Sequence, residues 1–291
     1  MAAGEPRNVW NLAAELGEGP VWVERDRALW FVDIKKRQVH RFDPASDDKR
    51  SFTAPEQVGF ILPAERGGFV AGLQSGLHHF DETSGKFELI VEVEPYLPNN
   101  RLNDGVVDRA GRLWFGTMDN KEKAKTGAFY CFAEGRLTRT AIANITITNG
   151  PAVSPDGRQL YPVDTLKGTI ERAEIGDDGT LGEPQAFVRI EAKDGHPDGP
   201  TIDSEGCVWI SLYAGWETRR YSPAGELIQS VRFPVANITK IALGGDDLRT
   251  AYATTARQML TPETIAKQPQ IGDLFEFRVD VPGVPCPRVR Y

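Results

Sequence analysis

Six places along the chain share a local pattern, and four of them hold residues whose side-chain oxygens could do chemistry. Those four are acids or an amide, each followed by glycine, and the pattern recurs roughly every 45 residues. Carboxylate and amide oxygens are ligands that hard divalent cations accept. The pattern therefore predicts a divalent-metal site with coordination positions left open for water and substrate. The six places are Glu18, Val58, Asp104, Asn149, Asp198 and Thr239.

A plainer interpretation is that these residues only form turns, because Asp-Gly and Asn-Gly pairs are typical of hairpins. Glu18-Gly19 is not a typical turn pair, and apolar residues such as Pro20-Val21-Trp22 and Val106-Val107 flank the pattern. Carboxylates gathered without a cation would also repel and raise each other's pKa. We expect the small glycines to let the backbone crowd around a shared site.

The elements that must position these residues are short strands. Apolar runs with a central aromatic residue recur with the same period, which suits a four-stranded blade. Polar Gly-containing turns precede several of them, and alternating runs follow. The sequence therefore predicts an all-β fold, a six-bladed β-propeller, as a single domain over residues 1–291. The aromatic markers are Trp30, Phe69, Trp114, Tyr161, Trp209 and Tyr252.

Two further segments carry local expectations. Residues 9–12 are predicted to pair with the last blade and close the ring, which would remove exposed sheet edges. Residues 261–267 form the one stretch with a helical pattern.

Composition excludes several classes of protein. The formal net charge is −7 and no basic stripe is visible, which argues against nucleic-acid binding. Cys131, Cys207 and Cys286 are widely spaced and form no CxxC pair, so reduced thiols are expected. Residues 1–17 lack the apolar core of a signal peptide, and no run approaches a membrane span of roughly 18 residues. We expect a cytoplasmic protein with no membrane partner.

Absent motifs narrow the chemistry further. The chain has no GxSxG elbow, no P-loop or dinucleotide fingerprint and no HExxH, and His196 is expected to have a structural or solvent role.

Several ordered segments resemble the SMP-30/gluconolactonase/luciferin-regenerating family. The resemblance runs from Glu15 to the C-terminus, and within the family the chain is similar to bacterial pentonolactonases such as xylonolactonase and arabinolactonase. The segments that carry it are Leu16-Gly17-Glu18-Gly19-Pro20-Val21-Trp22, Arg101-Leu102-Asn103-Asp104-Gly105, Gly111-Arg112-Leu113-Trp114-Phe115-Gly116-Thr117-Met118, Thr148-Asn149-Gly150-Pro151, Ser154-Pro155-Asp156-Gly157 and Pro197-Asp198-Gly199.

The resemblance implies a six-bladed propeller that hydrolyses a sugar lactone, a pentono- or hexono-lactone, with one catalytic divalent cation. Its ligands would be Glu18, Asn149 and Asp198. The metal could be Ca, Zn, Fe(II), Mn or Mg, because the donor set suits several cations. The substrate-binding positions would be Arg101 and Asn103, and Asp104 is predicted to stand beside them. Two alternatives to a sugar lactonase stay open: a non-catalytic calcium- or ligand-binding propeller, and a related hydrolase of non-sugar lactones or phosphotriesters. A hydrophobic pocket without a role for Arg101 would favour the second alternative.

In the expected mechanism the cation polarises the lactone carbonyl, and Asp198 is both ligand and general base. The partner is a small sugar lactone, and the protein is expected to be a monomer or weak oligomer. A lid-like loop, residues 119–126, carries Lys121 where some relatives have an acidic residue that touches substrate.

Overall fold

The computed structural model describes residues 4–291 as six four-stranded antiparallel sheets, the blades of a β-propeller. The predicted domain starts three residues earlier, and residues 1–3 lie outside the described residues. The first twelve strands are β1 (Arg7–Trp10), β2 (Gly17–Val23), β3 (Ala28–Asp33), β4 (Gln38–Asp43), β5 (Asp48–Thr53), β6 (Val58–Pro63), β7 (Phe69–Leu73), β8 (Gly76–Asp81), β9 (Lys86–Glu92), β10 (Asn100–Val107), β11 (Leu113–Asp119) and β12 (Gly127–Ala133). The remainder are β13 (Arg136–Ile145), β14 (Thr148–Val153), β15 (Gln159–Asp164), β16 (Thr169–Glu174), β17 (Gln185–Arg189), β18 (His196–Ile202), β19 (Val208–Tyr213), β20 (Glu217–Tyr221), β21 (Leu227–Arg232), β22 (Ile238–Gly244), β23 (Thr250–Thr255) and β24 (Leu274–Arg278).

Blades 1 to 5 each take four consecutive strands, starting with β2, and blade 6 combines β22, β23 and β24 with β1. The prediction that the N-terminal segment closes the ring is confirmed, because Asn8 lies opposite Phe275 and Trp10 lies opposite Leu274. With β1 paired in this way, blade 6 has the same four strands as the others, and the ring has no unmatched blade.

Helices contribute little to the fold. Helix α1 spans Pro262–Lys267, as the pattern predicted, and the Thr261 hydroxyl caps it by accepting a hydrogen bond from the Thr264 N–H. A short 3₁₀ turn covers Ala192–Asp194. Within residues 4–291, no helix combines the length and the apolar character that crossing a membrane requires.

The predicted aromatic markers all lie on the second strand of their blade and are at most 3% exposed. They pack between neighbouring blades: the rings of Trp30 and Phe69 lie 4.5 Å apart at the junction of blades 1 and 2. Acidic residues in the preceding turns hold two of the tryptophan markers by hydrogen bonds. Asp108 accepts a hydrogen bond from the Trp114 indole N–H at 2.9 Å, and Asp203 accepts one from Trp209 at 3.0 Å. The repeat read from the sequence is therefore the repeat that builds the core.

The innermost strand of each blade faces its counterparts around a central channel, and each carries a register shift near its start. Such bulges redirect side chains and bend the strand. Close packing at this level requires glycine: a Cβ on Gly199 would stand 2.6 Å from the Lys240 Cβ, and one on Gly59 would stand 2.4 Å from the Asn103 carbonyl oxygen. The expected crowding by glycine is confirmed at these two positions. The inner strands are β2, β6, β10, β14, β18 and β22.

Candidate active site

One end of the channel opens into a cavity of about 240 Å³ that we call the site cavity. It brings together Glu18, Arg101, Asn103, Asn149 and Asp198, which is every predicted site residue except Asp104. All five are at most 5% exposed. Residues from four blades thus meet at one point, although they lie up to 180 positions apart in sequence.

The bulges explain which residues reach this cavity. Glu18 and Asn149 are the last paired residues before the register shift of their strands, opposite Val32 and Val163. In blade 5 the last paired residue is Pro197, so Asp198 is the first residue within the bulge. The site therefore draws side chains from two adjacent positions of the bulge.

Asp104 lies one residue beyond the position in the bulge that Asp198 occupies in blade 5. In blade 3 pairing stops at Leu102 and resumes at Gly105, so Asn103 takes the position that Asp198 has in blade 5. Asp104 lines a second cavity instead, on the far side of the bulges. The prediction that Asp104 stands among the substrate-binding residues is not matched by its position, because it lies outside the lining of the site cavity.

Asp104 is held there by a buried ion pair. The Lys240 ammonium donates to both of its carboxylate oxygens at 2.7 Å, and the N–H groups of Gly105 and Gly150 donate to them at 2.8 and 3.1 Å. Asp104 is 1% exposed and Lys240 is 7% exposed. This carboxylate is thus fully compensated by the protein itself.

Glu18 and Asp198 form no such ion pair with any described residue, although the Gly19 N–H donates to Glu18 Oε2 at 2.9 Å. Burial raises the pKa of Glu18 to about 7, with a further upward contribution from the negative charge of Asp104. Burial also raises the pKa of Asp198 well above its usual range, and the charges of Glu18 and Asp104 and a hydrogen-bonding contact with Glu18 add to the effect. Two neighbouring buried carboxyl groups therefore favour sharing a proton or taking up a cation.

The donor set fits a hard divalent cation. The Oδ1 atom of Asp198 is buried and has no hydrogen-bond partner among the described residues. Asn149 directs its amide N–H to the Thr165 hydroxyl at 2.9 Å, which leaves its Oδ1 turned toward Asn103 at 3.0 Å. Within residues 4–291 no group of three His, Cys, Asp or Glu side chains could hold a metal, so a cation here would rely on two carboxylates and one amide.

We call Glu18, Asn149 and Asp198 the donor set. A chain of hydrogen bonds connects the donor set to the buried guanidinium of Arg101. Arg101 donates to the Asn103 side-chain oxygen, and the Asn103 amide donates to Asn149 Oδ1 and, at 2.6 Å, to the Thr148 carbonyl. The Arg101 guanidinium also donates through Nε to Asn120 at 3.2 Å. Burial lowers the pKa of Arg101 to about 10, while the charges of Glu122, Glu18 and Asp198 oppose that shift. Arg101 remains charged at neutral pH and faces the cavity.

Sequence reasoning missed several lining residues. Glu122, Tyr213 and Gln258 come from a loop, the end of a strand and a second loop, and His196 lines the cavity as well. The acidic side chain of the 119–126 loop that reaches the cavity is Glu122, whereas Lys121 is exposed. The sequence offered only one signal for Glu122: residues 119–126 begin where β11 ends, at the end of blade 3 that bears the site cavity.

Comparison with known proteins places these observations in a family. A sequence profile of the SMP-30/Gluconolactonase/LRE-like region matches residues 16–257. The chain is 33% identical to a 6-deoxy-6-sulfogluconolactonase of Pseudomonas putida, over 92% of each chain. It is 34% identical to an L-arabinolactonase of Azospirillum brasilense, over 94% of this chain and 91% of the relative.

Among solved structures, a calcium-binding protein described as regucalcin from Agrobacterium tumefaciens superposes with a TM-score of 0.95. It is 30% identical in sequence, and the match covers 99% of this chain and 98% of that one. The profile match spans the inner strands of all six blades and every residue of the donor set. On this evidence the chain belongs to the SMP-30/gluconolactonase/LRE-like family.

Proposed function

We propose that this protein hydrolyses a sugar lactone, a pentono- or hexono-lactone, to the aldonic acid in a reaction that depends on a divalent cation. The observation that carries the proposal is the buried, unpartnered Oδ1 of Asp198 beside Glu18 and Asn149 at the base of an open cavity. The lactonase names of the relatives from P. putida and A. brasilense support the same reaction.

Glu18, Asn149 and Asp198 would hold the cation. When bound, the cation would polarise the lactone carbonyl and stabilise negative charge on its oxygen. Three protein oxygens leave room for other ligands, which suits a catalytic site better than a closed structural one.

Arg101 and Asn103 would orient the substrate. The Arg101 Nη2 atom makes no hydrogen bond with any described residue, so its N–H groups are available to ring oxygens or hydroxyls. The Asn103 side chain is held on both sides by Arg101 and Asn149, which fixes the position of the guanidinium relative to the donor set. A rigid polar pair of this kind reduces the entropy lost when a substrate is oriented.

Asp198 would accept the proton of the attacking water at a carboxylate oxygen. Water oxygen forms the new bond to the carbonyl carbon, the ring C–O bond breaks, and the ring oxygen takes up the proton to become a hydroxyl. One water and one lactone thus give one hydroxy acid. Asp104 has no direct part in this scheme, because Lys240 and two backbone N–H groups occupy its oxygens.

A second candidate function is calcium binding without catalysis. The observation that favours it is the all-oxygen donor set, together with the description of the structural relative from A. tumefaciens as a calcium-binding protein. Under this alternative the cation would bind but lactones would not be hydrolysed.

One experiment separates the two. Protein stripped with a chelator is resupplied singly with Ca²⁺, Mg²⁺, Mn²⁺, Zn²⁺ or Fe²⁺, and acid release from xylono-, arabino-, galactono- and glucono-lactones is followed with a pH indicator. Metal-restored hydrolysis that is lost in Asp198→Asn and retained in the exposed control Asp178→Asn supports the enzyme. Metal binding by calorimetry with no release above the spontaneous rate supports the calcium-binding alternative.

A further inference from the structure

Gln258 lines the site cavity and carries a buried hydrogen-bond acceptor that no described residue satisfies. Its Oε1 atom is buried and has no partner, and Tyr213 and Met259 line the same cavity. Buried acceptors are almost always paired, and leaving one unpaired is costly. An unsatisfied acceptor on the wall of a cavity is therefore a place where a ligand donor is expected.

The orientation of this amide is fixed by charge. The Gln258 Nε2 group donates to the carboxylate Oε1 of Glu122 at 2.8 Å. A carboxylate accepts and cannot donate when ionised, so the NH₂ end of the amide must face Glu122. The Oε1 end then faces away from Glu122, and a flip of the amide would place two acceptors against each other.

The backbone of Gln258 is also fixed. Its N–H donates to the Glu15 carbonyl at 2.8 Å, and its carbonyl accepts a hydrogen bond from the Tyr213 hydroxyl at 2.8 Å. Contacts from blades 1 and 5 thus hold the loop after β23, and the side chain bridges to the loop after β11 of blade 3. The acceptor is positioned before any ligand arrives, which lowers the entropic cost of using it.

Arg101 supplies only donors to the same cavity. A polyhydroxylated ring carries groups that both donate and accept, so it needs acceptors as well as donors on the cavity wall. We propose that Gln258 Oε1 accepts a hydrogen bond from a hydroxyl of the substrate ring and so makes the site selective for hydroxylated lactones over their deoxy counterparts. This inference rests on the proposed lactonase function and names a specificity-determining residue for it.

The test compares hydroxylated and deoxy ligands in two variants. Gln258→Met keeps the size of the side chain and removes its acceptor and donor, whereas Asp178→Asn changes an exposed residue outside the site cavity and serves as the control. D-xylono-1,4-lactone and its 2-, 3- and 5-deoxy counterparts are compared by kcat/KM. The matching lactams, which resist hydrolysis, are compared by calorimetric Kd.

We expect the wild-type protein and Asp178→Asn to disfavour one particular deoxy compound by about tenfold or more. In Gln258→Met this preference should collapse to within about twofold, because the acceptor is gone while the other contacts remain. A uniform loss for all four compounds is what a merely structural role of Gln258 would produce, and it would overturn the inference.

The two proposals fail in different ways. Lactam binding with the expected preference but no hydrolysis of any lactone refutes the lactonase function and supports the role of Gln258. Hydrolysis without any preference between hydroxylated and deoxy compounds refutes the role of Gln258 alone. Wild-type protein that neither hydrolyses any lactone nor binds any lactam refutes both proposals.

Discussion

The two ends of the central channel both hold buried carboxylates, and they balance that charge differently. At the site cavity, Glu18 and Asp198 have raised pKa values and Asp198 Oδ1 is unpaired. Beyond the bulges lies a cavity of about 140 Å³, which we call the tail chamber; it holds the Asp104–Lys240 pair and is bordered by residues 284–287. Here the ammonium group of Lys240 neutralises the buried carboxylate of Asp104.

This difference is the reason that we propose a metal at one end of the channel only. Beyond the effect of burial, Asp104 raises the pKa of Glu18 and of Asp198, and Glu18 raises that of Asp198; Lys240 forms its ion pair with Asp104, on the side of the tail chamber. The remaining two negative charges match one divalent cation. The comparison therefore leads to predictions about charge removal, metal binding, pH and access at the two ends.

The largest effect is expected in the tail chamber. Asp104→Asn leaves Lys240 buried without a counter-charge and should lower the free energy of unfolding by about 3–5 kcal/mol. The double variant Asp104→Asn/Lys240→Met removes both charges and should recover most of that loss. Urea unfolding of the two single variants and the double variant measures this coupling. Additive losses would show that the pair does not act as a unit.

At the site cavity, Asp198→Asn should abolish tight binding of one divalent cation and lower kcat/KM for lactones at least about a hundredfold. The physical reason is the loss of a ligand charge and of the proton acceptor. Calorimetry with the restoring metal and the pH-indicator assay check both effects. Unchanged metal affinity would place the cation elsewhere in the molecule.

The stability of the metal-free protein should depend on pH through the buried carboxylates of the site cavity. Because the pKa of Glu18 is raised to about 7 in the folded state, the folded protein binds more protons than the unfolded chain between about pH 4.5 and 7. Stability of the stripped protein should therefore fall as the pH rises through that window and level off above it. A divalent cation, which favours the ionised carboxylates, should reverse this fall. Thermal unfolding at pH 5, 6, 7 and 8, with and without metal, measures it.

The smallest effect concerns access to the tail chamber. Burial raises the pKa of Cys286 to about 12, so its thiol should react slowly with iodoacetamide at pH 8. Mass spectrometry of the Cys286 peptide, with urea-unfolded protein as the reactive control, follows the modification. Rapid modification of the folded protein would mean that solvent enters this end freely, and the contrast between the two ends would then be weaker.

The fold could be predicted because its signal is repeated. Residues such as Trp30, Trp114 and Trp209 recur at the blade period, and the Asp-containing turns before the last two recur with them. Each marker is buried for the same physical reason in each blade, so six weak local signals reinforce one another. The N-terminal closing strand and the short helix followed from local pattern in the same way.

The site could be predicted only in part. Glu18, Asn149 and Asp198 converge as their phase suggested, but the phase could not distinguish Asn103 from Asp104, because the position of a bulge in blade 3 is decided by packing. Glu122 and Gln258 lie in loops; Glu122 has a positive φ value of 57°, and Met259, the chain neighbour of Gln258, has one of 63°. Tertiary contacts fix such conformations, and the sequence carries little local signal for them.

The pairing of β1 with β24 has a consequence for how the chain matures during synthesis. Arg7 forms an ion pair with Glu276, 269 positions later, so β1 is synthesised long before its partner strand β24. Such a non-local contact is slow to form, because a long chain must be ordered before it is made. Blades 1 to 5 are complete in sequence before this step, while blade 6 lacks its outermost strand until β1 docks. Until then, the backbone groups of β24 that pair with β1 in the folded protein are open to other strands.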